Sequence, residues 1–196
     1  MSDLRERAKE AAKGRKQPKV WEPPHWSEFA PNVRVVAFDQ SLTHTGWVDF
    51  EVGSQGALII YGRGTINITV STKGHVSTMD KADDLLDALR DRHIPTYARI
   101  VGEMTPVVGY RLESSLLAGY VLRQAYRDVE FVSRQSALAL LLPLDQRKAK
   151  KYSREVLNRY ASVETASDRT MRWNEHQRDA LMLGLTRLHQ IAKEAS

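Results

Sequence analysis

Three acidic residues stand where apolar runs of the sequence end or begin, and together they could bind metal ions. Asp39 and Glu103 each end a strand-like apolar run, and Asp179 lies one residue before the apolar part of the last helical segment. His176, three residues before Asp179, shares its helical face, and Glu175, four residues before it, is the alternative. Converging carboxylates repel one another unless a cation compensates them. Oxygen ligands with one imidazole and no thiolate suit Mg²⁺, for which Mn²⁺ can substitute.

Such a site would have a defined chemistry. Two ions about 3.5–4 Å apart clamp the attacking and leaving oxygens of an in-line phosphoryl displacement. The chain has 24 acidic residues, so the same positions are also compatible with surface acids and helix caps. Spacing alone leaves both interpretations open.

Hydrophobic periodicity indicates the elements that must position these residues. Runs at 33–39, 46–52 and 57–66, separated by glycines, predict three strands in an antiparallel meander. Two further strands are predicted at 98–103 and 129–132. Helices are expected at residues 76–92, about 113–127, 133–142, 148–160 and 172–193. This order predicts an α/β fold with a mixed central sheet covered by helices.

Composition favours one globular domain with a basic N-terminal leader. The 196 residues are 42% hydrophobic, enough for one core. We expect residues 1–32 to form a flexible basic leader with a Pro-rich linker or strap, and residues 33–196 to form the domain. Residues 1–20 carry seven of the basic and three of the acidic side chains. Such a segment either binds phosphate backbones or stays solvated and disordered.

The sequence also bears on the compartment. No apolar run reaches the roughly 18 residues of a membrane span, and the charged N-terminus lacks the apolar region of a secretory signal. The chain has no cysteine, which excludes disulfides and thiolate metal sites. We therefore expect no membrane association and a cytoplasmic location, in the host cytoplasm if the source is viral.

The stretch that begins at Asp39 resembles the first hairpin of the RuvC family of Holliday-junction resolvases, within the RNase H-like nuclease superfamily. That hairpin reads approximately Asp-Pro-Gly-x-x-x-Thr-Gly-Tyr, and the matching residues here are Asp39, Thr45, Gly46 and Trp47. Gln40 and Ser41 depart from the Pro-Gly pair. The family's second acid and its final pair match Glu103, His176 and Asp179.

The resemblance implies an RNase H-like sheet of five strands and a Mg²⁺-dependent endodeoxyribonuclease. Asp39 would bridge two Mg²⁺ ions, and Glu103 and Asp179 would each complete the shell of one ion. His176 would be a further ligand or would position the nucleophilic water. The implied reaction hydrolyses DNA phosphodiesters to 5′-phosphate and 3′-hydroxyl ends, and the implied assembly is a homodimer that acts on four-way junctions.

Two groups of residues are candidates for binding DNA. Tyr110 and Arg111 follow the second acid, where the family carries an aromatic that can wedge into the junction; simple packing at a loop is the alternative. A basic run can contact phosphates without reading sequence, or form an ordinary solvated helix face. Its members are Arg147, Lys148, Lys150, Lys151 and Arg154.

Three other functions are compatible with parts of the pattern. The start of the hairpin also looks like the phosphate loop of actin-like and sugar-kinase ATPases, although 196 residues are too few for the two lobes of those proteins. A catalytically silent DNA-binding module is a second alternative. A nuclease with a flap, another branched DNA or RNA as its substrate is a third, because acids at strand ends indicate the chemistry and not the shape of the nucleic acid.

Overall fold

A computed structural model describes residues 21–68, 77–104, 112–143, 152–160 and 173–196. The strands in these ranges are β1 (Val35–Asp39), β2 (His44–Val52), β3 (Leu58–Asn67), β4 (Arg99–Glu103) and β5 (Glu130–Val132). The helices are α1 (Thr78–Arg90), α2 (Leu112–Ala125), α3 (Arg134–Leu141), α4 (Tyr152–Tyr160) and α5 (Glu175–Glu194). A 3₁₀ turn, Trp26–Glu28, precedes β1. Within the described ranges each predicted element is present, and the described ends lie within a few residues of the predicted ones.

The five strands form one mixed sheet in the order β3-β2-β1-β4-β5. β1 pairs with β2, and β2 with β3, in antiparallel fashion, which confirms the predicted meander. β4 is parallel both to β1 and to β5. The predicted α/β fold is therefore confirmed, and the parallel pairing brings the carboxyl ends of β1 and β4 to the same edge of the sheet.

Helices cover both faces of this sheet. Every residue of β1 is buried, and its alternate side chains enter two separate cores. On one face, Val35 and Ala37 pack with α3, α4 and α5. On the other face, Val36 and Phe38 pack with α1 and α2. Burial on both faces explains why the central strand reads as an apolar run, and why the acid at its end is notable.

The chain that precedes β1 is part of the packed structure. Phe29 and Ala30 are buried within the core that surrounds α5. The Ala30 amide donates a hydrogen bond to the Leu188 carbonyl (3.1 Å), and the Tyr160 hydroxyl donates one to the Pro24 carbonyl (3.0 Å). Residues 24–30 are thus bound to α4 and α5, whereas residues 1–20 lie outside the described ranges.

None of the helices within the described ranges is both long and apolar enough to cross a membrane.

Candidate active site

Two carboxylates lie side by side at the carboxyl ends of parallel strands. Asp39 is the last residue of β1 and Glu103 the last of β4, and the register pairs Phe38 with Gly102 immediately before them. Asp39 is only 6% exposed, and the Glu103 side chain is 18% exposed. The sheet therefore holds these two acids together in a largely buried position, and each ends a strand as the sequence predicts.

The start of α5 brings the third acid and the histidine to the same place. Asn174 caps this helix: its side chain accepts from the Gln177 amide, and the Gln177 side chain accepts in return from the Asn174 amide. His176 and Asp179 then face the strand ends from the first turns, with Asp179 1% exposed. The His176 ring donates from Nδ1 to Asp39 Oδ2 at 2.6 Å. A carboxylate only accepts, so Nδ1 carries the proton and Nε2 of the neutral ring is the atom available to a ligand.

Gly46 makes this close approach possible. It is the β2 partner of Asp39, and α5 begins directly over it. A Cβ atom at position 46 would lie 2.3 Å from the backbone carbonyl carbon of His176, which no side chain can tolerate. The first turn of α5 can therefore reach the end of β1 only when this residue is glycine.

Arg134 lies among the three carboxylates, and sequence reasoning did not identify it. Its Nη2 forms an ion pair with Asp179 and lies 3.8 Å from Asp39 Oδ1, and its Nε lies 3.8 Å from Glu103 Oε1. One sequence signal could have indicated it. Arg134 begins α3, where a positive charge opposes the helix dipole, so a basic residue there suggests a partner elsewhere.

Gln40 extends the parallel ladder with its side chain. Its amide nitrogen donates to the Glu103 carbonyl (2.5 Å), and the Glu103 amide donates to its side-chain oxygen (2.8 Å). The following turn is closed by Thr45, whose hydroxyl donates to the Ser41 carbonyl (2.7 Å) and accepts from the Ser41 amide (3.1 Å). The departure from Pro-Gly at positions 40 and 41 thus gives a side chain that fixes the main chain of the second acid.

The electrostatics of the cluster show an excess of negative charge. Burial raises the pKa of Glu103 to about 7; Arg134 opposes this rise and the Asp39 carboxylate adds to it. The hydrogen bond to Asp39 raises the pKa of His176, although burial acts in the opposite direction. One guanidinium and one imidazole face three carboxylates, so a cation would be attracted to this place.

The donor set suits a hard divalent cation. Three carboxylates and one imidazole are ligands that Mg²⁺ and Mn²⁺ accept. Within the described ranges, however, no group of three or more His, Asp or Glu side chains is arranged to hold a metal ion as it stands. The Arg134 guanidinium lies between the carboxylates that would have to close around the ion.

A second histidine lies at the rim of the cluster. The ring of His44, the first residue of β2, stacks on the ring of His176 with centroids 6.0 Å apart and planes 8° apart. His44 is exposed and its Nδ1 lies 3.0 Å from the Thr43 hydroxyl oxygen.

The candidate DNA-binding residues are for the most part not described. Arg154 is exposed on α4. The other candidates lie outside the described residues: Tyr110, Arg111, Arg147, Lys148, Lys150 and Lys151. Their role in DNA binding therefore stays a prediction.

Comparison with known proteins bears on the fold. No family model matches the chain, and neither does any curated protein sequence. The fold is similar to that of Thermus thermophilus RuvC, with 15% identity and a TM-score of 0.61 over 83% of this chain and 97% of that one. The same protein in complex with a Holliday junction substrate matches with 13% identity and a TM-score of 0.59, over 83% and 96% of the two chains. The yeast mitochondrial Holliday junction resolvase Ydc2 matches with 13% identity and a TM-score of 0.53, over 85% and 84%. The chain thus has a RuvC-like fold.

Proposed function

We propose that this protein is a divalent-metal-dependent endonuclease that hydrolyses phosphodiester bonds in branched DNA, with four-way junctions as its substrate. One observation carries the proposal: Asp39, Glu103 and Asp179 meet at the ends of β1, β4 and the first turns of α5, with His176 bound to Asp39. The choice of substrate is supported by the similar structures, one of which contains a Holliday junction and another of which is named as its resolvase.

The metal site would be formed by the same four residues. Asp39, Glu103 and Asp179 would supply carboxylate oxygens, and His176 would supply Nε2. Two Mg²⁺ ions bound there would activate water and neutralise charge on the scissile phosphate. The protein contributes positioning: Gln40 fixes the main chain of Glu103, and the hydrogen bond from His176 fixes the orientation of both His176 and Asp39.

A homodimer would suit a substrate with two equivalent halves. Two copies related by a twofold axis would place two sites symmetrically across a four-way junction. Leu116 and Tyr120 lie one helical turn apart on α2 and are 54% and 60% exposed, and a second copy is the partner we propose for them. Light scattering of the wild type and of Leu116→Glu measures the mass in solution; a monomeric wild type would contradict the dimer.

The activity is tested with labelled four-way junction, flap, linear duplex and RNA–DNA substrates, each with Mg²⁺ or EDTA. We expect paired symmetric cuts in the junction with Mg²⁺ and none with EDTA. Asp39→Asn should abolish cleavage and leave junction binding largely intact, whereas Asp84→Asn, at an exposed position on α1, should cleave like the wild type. Undiminished cleavage by Asp39→Asn would refute the site. Cutting only of flaps or of the hybrid would keep the nuclease and change its substrate, and ATP hydrolysis without cleavage would refute the nuclease.

A further inference from the structure

Arg134 occupies the space that the three carboxylates enclose. Its guanidinium forms an ion pair with Asp179 through Nη2 and lies 3.8 Å from an oxygen of Asp39 and 3.8 Å from one of Glu103. These three acids come from β1, β4 and α5, and the arginine comes from α3. A single positive charge therefore touches or approaches every acid of the candidate site.

The local structure of α3 indicates that this placement has a cost. A basic residue begins the helix, no acidic residue stands in its first turn, and the Ser133 N-cap makes no side-chain hydrogen bond to it. Each of these features disfavours the start of a helix. The attraction of the three carboxylates offsets them, and this ties the start of α3 to the charge of the site.

The guanidinium and a metal ion cannot occupy this space together. Mg²⁺ requires ligand oxygens at about 2.0–2.1 Å, which leaves no room for a guanidinium among the same oxygens. The contacts of Arg134 with Asp39 and Glu103 are longer than hydrogen bonds, and its side chain is 38% exposed. The side chain thus has a route to solvent, and it contacts Asp179 more closely than it contacts Asp39 or Glu103.

From this geometry we infer that Arg134 is an exchangeable internal counter-ion. It holds the three carboxylates together in the metal-free protein and is displaced from them when divalent cations bind. The inference rests on the proposed function, because it assigns a role to a residue of the proposed metal site. It makes Arg134 a competitor of the metal, so that removing it has opposite effects on metal affinity and on the stability of the metal-free protein.

The test uses the full chain without DNA, so that its readout does not depend on cleavage. Mn²⁺ binding is measured by titration calorimetry, and thermal unfolding is followed in EDTA and in Mn²⁺. Arg134→Met should bind Mn²⁺ roughly tenfold more tightly or better, because a charge about 4 Å from the acids interacts strongly with them. In EDTA the same variant should unfold at a lower temperature than the wild type. Arg127→Met removes an exposed arginine elsewhere and is the matched control, for which we expect neither change.

A second variant covers the case in which Arg134→Met does not fold in EDTA. Arg134→Lys keeps the charge but has a shorter, unforked head that cannot reach all three acids equally. It should also bind Mn²⁺ more tightly and unfold at a lower temperature in EDTA than the wild type, with both differences smaller than in Arg134→Met. Wild-type affinity in both variants, or tighter Mn²⁺ binding without loss of metal-free stability, would overturn the inference and leave the proposed function standing. Absence of Mn²⁺ binding in the wild type and in both variants would overturn the inference and the proposed function together.

Discussion

Replacing Glu103 with glutamine should stabilise the metal-free protein at pH 8 and should stabilise it much less at pH 5. Without metal, burial raises the pKa of Glu103 from 4.5 to about 7, against the opposing effect of Arg134. The folded protein therefore binds this proton more tightly than the unfolded chain does. The contribution to stability is fully present below pH 4.5 and is lost as the pH rises through 7. At pH 8 the wild type must hold a charged carboxylate in a buried place, and the variant does not.

The size of the effect follows from the two pKa values. The gap between 4.5 and about 7 corresponds to about 3 kcal/mol of unfolding free energy. The Glu103 side chain is 18% exposed, so solvent screening removes little of it. For a chain of this length, about 3 kcal/mol shifts the unfolding temperature by about 6–12 °C.

Urea unfolding in EDTA at pH 5 and pH 8 measures this difference. The comparison of wild type with Glu103→Gln at each pH cancels the titration of the groups that do not interact with Glu103. Glu22→Gln, an exposed glutamate in the chain that precedes β1, should change neither value. A variant that is no more stable than the wild type at pH 8, or equally stabilised at both pH values, would refute the reasoning. Added Mg²⁺ should reverse the order at pH 8, because only the wild type keeps the full set of ligands.

Two further predictions concern residues that position the site. Gly46→Ala should lower the rate of single-turnover cleavage by roughly 100-fold and retain the circular dichroism spectrum, because the new Cβ displaces His176. Gly53→Ala is the control, because its Cβ would meet only the end of a side chain, at 3.3 Å. Equal cleavage rates for the two variants would contradict this prediction. Gln40→Met should lower the unfolding free energy, measured in urea, by roughly 1–3 kcal/mol, because it leaves the backbone amide and carbonyl of Glu103 without their side-chain partner. The same substitution should lower kcat and change KM less. An unchanged kcat would show that the backbone pairing of β1 with β4 is enough to position Glu103.

The elements and the acids were accessible from sequence because they depend on local pattern. Strand periodicity located β1 and β4, and the acid at the end of each strand followed directly from their boundaries. The spacing of His176 and Asp179 predicts their common helical face from local sequence alone. What the pattern could not give is the sheet order, which depends on the pairing of β1 with β4 across a long stretch of chain.

The residues that sequence reasoning missed act through contacts distant in the chain. Arg134 belongs to the site because α3 begins beside the end of β4, and one basic residue at a predicted helix start does not show this. Gln40 read as a mismatch, whereas its amide binds a strand more than sixty residues away. Phe29 stands in a Pro-rich segment whose composition predicts a linker or a strap, and only the packing of α5 shows that this side chain is buried.

Gly46 also changes how relatives of this chain can be recognised. In the hairpin pattern, Thr-Gly looks like a local turn signal, but here the glycine is required because the start of α5, much later in the chain, packs directly against it. Any sequence of this fold with a side chain at that place has to start its last helix elsewhere. In a search for such proteins, the glycine opposite the first aspartate should therefore be scored together with the distant His-x-x-Asp pair, as two halves of one signature.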